Sequence, residues 1–127
     1  MTQFIDQKIS RRDAITTGIG YALAVSPVTA WALSTTSEGL AEGEVVIPVG
    51  HEKMPAYRAM PNGKGPFPIV VVVQEIFGVH EYIRDVCRRF AKAGYLAVAP
   101  ALYFRQGDPT KISEIGTIIE KIVSRVG

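Results

Sequence analysis

Pro68-Ile69-Val70-Val71-Val72-Val73 runs directly into Gln74-Glu75-Ile76-Phe77-Gly78, and the fold turns on how these two stretches are read together. Pro68 to Val73 carries no polar side chain, so it lacks the alternation of a half-buried strand. A continuous β-branched run of this kind is expected to be covered on both faces, as in a parallel sheet flanked by helices. Gln74 to Gly78 then turns the chain at the carboxyl end of that strand, where open α/β sheets place their ligand sites.

Downstream of the turn the period becomes helical. Ile83, Val86, Cys87, Phe90 and Ala91 follow an i, i+3, i+4, i+7, i+8 pattern, while Arg84, Asp85, Arg88, Arg89 and Lys92 are assigned to the opposite, solvent side. Gly94 is placed to cap this helix, and Tyr95-Leu96-Ala97-Val98-Ala99-Pro100 reads as a second buried strand. Pro68 to Pro100 is therefore a βαβ unit of about thirty residues, the length of a right-handed crossover. Upstream, Glu44 to Val49 and Met54 to Met60 are β-prone runs joined through Gly50-His51-Glu52-Lys53, an expected antiparallel pair. Pro48 and Pro55 place both near a sheet edge, and Pro61-Asn62-Gly63-Lys64-Gly65-Pro66 is a turn. Near the end, Ile112, Ile115, Ile119, Ile122, Val123 and Val126 recur at helical spacing with no strand after them. The fold class expected is α/β, with edge antiparallel strands followed by a βαβ unit, and incomplete.

Composition narrows the functional classes. The chain has 127 residues, 47% hydrophobic and 20% charged, which suits one small packed domain. Lys and Arg number 14 against 12 Asp and Glu, scattered rather than massed, which gives nucleic acid no basic patch to bind. Cys87 is the single cysteine, so neither an internal disulfide nor a cysteine-based metal site can be built from this chain. In the first 32 residues, Ser10-Arg11-Arg12-Asp13 precedes a stretch from Ala14 to Ser37 without charge, and Ala30-Trp31-Ala32 has the form of a signal-peptidase site. Residues 1–32 resemble a twin-arginine signal peptide, with Arg11 and Arg12 as the signal pair, although Ala14 stands where a Phe is commonest. The expectation is export to the periplasm through the twin-arginine machinery, without stable membrane insertion after cleavage. If uncleaved, the segment would leave a membrane-anchored protein. Residues 33–43 are expected to be a polar linker, and the folded domain is expected over 44–127.

A carboxylate at the end of an apolar strand, here with Gln74 alone between it and Val73, is costly unless it is paired or functional, which singles out Glu75. The amides of the same turn, between a strand and a helix, are placed as hydrolases of this architecture place oxyanion donors. PFPIVVVVQEIFGVHEYIRDVCRRFAKAGYLAVAPALYFRQGDP resembles the dienelactone hydrolase family of α/β-hydrolases, over roughly residues 44–109. The resemblance implies an α/β-hydrolase fold, here its N-terminal part. It also implies an enzyme that opens lactones and carboxylic esters through a Cys-His-Asp triad and an acyl-enzyme, with no metal or cofactor. On this resemblance Glu75 corresponds to the glutamate that tunes the nucleophile, and the Ile76 backbone N–H belongs to the oxyanion hole. Tyr103 and Arg105 match aromatic and basic residues after the second strand and, with Phe77, are candidate substrate-binding wall; Gln74 shapes the mouth.

The Gly-x-Cys-x-Gly elbow, Asp and His of the family find no match, so the triad is expected beyond Gly127 and the chain alone is expected to be inactive. Cys87 is flanked by Val86 and Arg88 rather than glycines and lies on the apolar helix face, which makes it a packed small hydrophobe. His80 and His51 are assigned structural or solvent-facing roles. Glu75 in a salt bridge, Arg105 as a solvated charge and Tyr103 as packing are the plain alternatives. For the whole chain the alternative is a non-catalytic remnant or interaction module of the same fold, with oligomeric state left open.

Overall fold

The hairpin at the start of the sheet is longer than its β-prone runs. In the computed structural model, which describes residues 34–127, β1 spans Leu40–Val49 and β2 spans Glu52–Pro61 in antiparallel register. Gly50, at φ 61°, and His51 alone turn the chain between them, because glycine in the first turn position matches the twist of the flanking strands. β1 begins four residues before Glu44, so part of the expected linker joins the sheet. Ser37 and Glu42, polar residues that read as linker, are hydrogen-bonded to each other, and Thr35 N–H donates to Asp85 at 2.6 Å.

β3 (Ile69–Val71), helix α1 (Glu81–Lys92) and β4 (Leu96–Pro100) form the expected βαβ unit. β3 and β4 pair in parallel and β2 pairs antiparallel with β4, giving the sheet order β1-β2-β4-β3. Gly94, at φ 99°, follows α1 as the left-handed residue that ends it. β1 is an edge strand, as its proline implied, but β2 is internal. Pro55 is tolerated there because its carbonyl accepts from Ala101 N–H at 2.8 Å, so its missing N–H faces the same side, at the point where β4 has ended.

Three expectations change. Pro68 to Val73 is not covered on both faces: Val72 is buried in the core, while Ile69, Val71 and Val73 are 58–69% exposed on the alternate side. β3 lies at the sheet edge, and no described element packs on that second face. The charged side of α1 is not all solvent either, since Asp85 and Arg88 are buried. The C-terminal pattern forms only α2 (Ile115–Lys121), between single turns of 3-10 helix at Pro109–Lys111 and Val123–Arg125. Gly116, Thr117 and the isoleucines at 115, 118 and 119 are poor helix formers, and only Ile118 and, just after the helix, Ile122 are buried to compensate.

The core lies between α1 and the sheet, with Tyr57, Ala59, Ala97 and Ala99 of the strands against Ile83, Cys87 and Ala91 of the helix. Small alanines on the strands let the helix approach closely. Cys87 is fully buried at that contact, and burial pushes its thiol up to about 11. A thiol in that state is protonated and shielded at neutral pH. Iodoacetamide is expected to label Cys87 in denaturant but not in the native chain, read by intact mass; rapid native labelling would show that the helix face is open.

Candidate active site

At the carboxyl end of β3 the chain reverses within a few residues. Gly78 N–H donates to the Glu75 carbonyl at 3.2 Å, closing the turn Glu75 to Gly78. Gly78 has φ 77° and packs so tightly on the segment after β4 that an added Cβ would lie 2.9 Å from Pro109 Cγ. Both facts demand glycine. Gln74, one residue before the turn, reaches across to the other strand end, where its Oε1 accepts from Leu102 N–H at 3.0 Å. The two segments at the carboxyl ends of β3 and β4 are thus held together by one side chain. The sequence places Gln74 at the mouth but does not show the bridge, whose partner Leu102 lies 28 residues away.

The turn presents two kinds of group. Glu75 projects a carboxylate whose side chain is 62% exposed, 3.9 Å from His80 Nε2. The amides of Ile76 and Phe77 donate to no protein group among the described residues, so they are available to a ligand. Phe77 is exposed and its ring meets His80 edge-on.

Beside the turn lies a cleft of about 490 Å³, lined among others by Tyr57, Gln74, Gly78, Arg84, Tyr103 and Asp108. Tyr103 is among the residues that line the cleft. Glu75, Ile76, Phe77 and Arg105 do not line it. Arg105 pairs instead with Glu52 at the start of β2, Nε to Oε2 2.7 Å, and lies over the Phe104 ring. The hydrogen bond to Glu52 raises the Arg105 pKa, and the same bond lowers that of Glu52. Asp108 caps the turn at Pro109 by accepting from Thr110, which holds its carboxyl below the usual range. Arg84 reaches the Val79 carbonyl at 3.3 Å and pairs with Glu44, so its charge is already engaged. Arg11 and Arg12, and the whole of residues 1–32, lie outside the described residues.

A strand, a turn carrying Glu75 with free amides, and an amphipathic helix returning to a parallel strand match a known pattern. The family model for the dienelactone hydrolase family matches residues 54–126. The chain belongs to that family. A protein of Methylorubrum extorquens named "Putative carboxymethylenebutenolidase" is 54% identical over 121 residues, covering 93% of this chain and 42% of that protein. One of the same name from Escherichia coli K12 is 48% identical over 114 residues, covering 89% of this chain and 42% of its own. The crystal structure titled "Putative Dienelactone Hydrolase" from Klebsiella pneumoniae superposes with a TM-score of 0.64 at 59% identity, over 68% of this chain and 37% of that one. This dienelactone hydrolase family chain thus spans about two fifths of the length of the curated relatives it matches. Its mixed sheet and crossover helix are the corresponding part of an α/β-hydrolase fold.

Proposed function

We propose that these residues supply half of the active site of an exported hydrolase that opens lactones and related carboxylic esters. One observation carries the proposal beyond family membership: β3 delivers, side by side, a carboxylate at Glu75 and a backbone donor at Ile76 that no described protein group occupies. In this proposal the nucleophile is a cysteine on a Gly-x-Cys-x-Gly elbow beyond Gly127, with its Asp and His partners after it. Its thiolate attacks the carbonyl carbon, and the C–S bond forms as an electron pair moves onto the carbonyl oxygen. Ile76 N–H donates to that oxyanion, where a preorganised donor is worth most. Collapse breaks the C–O bond, the departing oxygen takes a proton from the histidine, and water then releases the acid.

Glu75 governs the ionisation of the thiol and Tyr103 forms wall, while Phe77 and Arg105, which stand outside the cleft of the described residues, would meet substrate only in a site widened by the downstream segment. The chemistry invoked needs no cofactor. Arg11 and Arg12 direct export, with cleavage after Ala32.

The test compares two polypeptides. The 127-residue chain should leave an activated ester intact, whereas one that continues through the family's downstream segment should turn it over. In the longer protein, Glu75→Gln should slow acylation about 10- to 100-fold with no change in thermal midpoint. An unchanged rate would remove Glu75 from the mechanism. Turnover by the 127-residue chain that Cys87→Ala abolishes would place the nucleophile in α1 and overturn the missing elbow.

The exposed, uncharged side of β3 favours a second reading, a non-catalytic interaction module. Intact mass from the native source separates the two. A longer species containing the elbow supports the enzyme; a stable product ending at Gly127 supports the module.

A further inference from the structure

His80 holds the N-cap position of α1 with φ −82° and ψ 179°, yet its side chain makes no capping hydrogen bond. The ring is committed elsewhere. It lies between two aromatic residues, edge-on to Phe77 with centroids 6.1 Å apart and stacked near Tyr82 at 6.3 Å and 20°. Within that cage Nε2 is shut off from solvent and has no hydrogen-bond partner among the described residues, although the side chain as a whole is 32% exposed. The atom it approaches is Glu75 Oε2, at 3.9 Å. A buried ring nitrogen without a partner is costly, and a shift of roughly 1 Å would turn this approach into a charge-assisted hydrogen bond.

Nearby charges do not compete for the imidazole. On α1, Glu81 is bonded to Arg88, and Arg84 is held by the Val79 carbonyl and by Glu44 of β1. In the segment after β4, Asp108 is taken by Thr110 and Lys111. Among the described residues Glu75 is the carboxylate within 4.0 Å of His80.

We infer that His80 is a positioning residue for Glu75: held between Phe77 and Tyr82, its Nε2–H pairs with the carboxylate and fixes the direction in which Glu75 points. The inference rests on the proposed role of Glu75 for its catalytic meaning, but the pairing itself can be read without turnover. A flexible carboxylate at a turn samples many rotamers, and a tether to a caged ring removes most of them. The local arrangement Glu75-Ile76-Phe77-Gly78-Val79-His80 makes this possible, because the left-handed Gly78 folds the histidine back toward the glutamate.

The experiment measures by NMR the side-chain three-bond couplings of Glu75 in the 127-residue chain, native and His80→Asn. A tethered carboxylate should give couplings of one χ1 rotamer in the native chain and averaged values in His80→Asn, which keeps an N-cap residue but is too short to reach Glu75. Averaged couplings in the native chain, or the same couplings in both proteins, overturn the inference and leave the proposed role of Glu75 untouched. In the longer polypeptide, His80→Asn should lower kcat about 3- to 10-fold with KM nearly unchanged. Full native kcat in His80→Asn also overturns the inference. A native rate in Glu75→Gln strikes instead at the role of Glu75, with the couplings read independently.

Discussion

Replacing Arg88 by alanine is expected to cost the fold about 3 kcal/mol, the lower end of what is lost when a buried ion pair is left with one partner. Arg88 lies within the packed side of α1 with 8% of its side chain exposed. Its Nη1 is 3.4 Å from Tyr57 Oη and 3.8 Å from Glu42, while Nη2 bonds Glu81 and lies 3.6 Å from Asp85. Burial alone would lower its pKa, but the bonds to Glu81 and Tyr57 outweigh that and raise it. The same cluster pushes Tyr57 up to about 12, through burial first and then its bond to Glu42. Without the guanidinium, Asp85 and Glu42 lose a shared cation. Arg89 at 2.7 Å and the Thr35 amide keep Asp85 partly satisfied, which is why the higher end of the range is not expected.

Acid should reveal the same cluster. Burial raises both carboxylates, but the hydrogen bonds from Thr35 to Asp85 and from Ser37 and Tyr57 to Glu42, with the nearby arginines, bring both below their ordinary values. Groups with lowered folded pKa contribute stability that is complete above their unfolded values, near pH 4, and drains away as pH falls through the folded values. Denaturation midpoints in urea should therefore decline below about pH 4 in the native chain, and by less in Arg88→Ala. A loss under about 1 kcal/mol at pH 7 would mean the cluster is solvated rather than buried.

Gly78→Ala should be the second costly change. A methyl group there needs a left-handed backbone at φ 77° and would meet Pro109 Cγ at 2.9 Å and Thr110 Cγ2 at 3.3 Å. Pro109 is buried and its ring cannot swing aside. About 2–3 kcal/mol is expected from the combined backbone strain and overpacking. Gly116→Ala, in α2 with open space around it, is the matched control and should be neutral or stabilise by up to about 1 kcal/mol. Thermal unfolding of both variants decides the matter; equal midpoints would show that the turn and the Pro109 segment are not packed as one.

What was legible in the sequence followed from local pattern. The hairpin, the helix over Ile83 to Ala91 and the parallel return strand each leave a period or a turn residue that local chemistry interprets. Arg88 and Asp85 were assigned to solvent because a helical period sorts charge from hydrophobe and nothing more. Their burial depends on Thr35, Glu42 and Tyr57, remote in sequence, and remote partners leave no local trace. Gly78 shows the same limit, since its tightest contact is Pro109. For the site, the place of the turn Gln74 to Gly78 was legible because a strand, a turn and a helix in sequence fix where the turn must lie. The Gln74 bridge and the approach of His80 to Glu75 were not, because each depends on side-chain direction after the chain has reversed.

The open face of β3 also bears on synthesis. Translation runs from the amino terminus, so any polypeptide that carries this segment will at some moment have residues to Gly127 outside the ribosome and nothing after them. At that moment the sheet can already be paired, and Ile69, Val71 and Val73 stand in water on a strand edge with no charge from Pro66 to Gln74 to repel a neighbour. Such an edge is a target for nascent-chain binding factors and for pairing between chains on adjacent ribosomes. In a polypeptide whose later residues cover that face, the hazard lasts until they emerge, and its length is set by elongation rate rather than by the stability of the finished sheet.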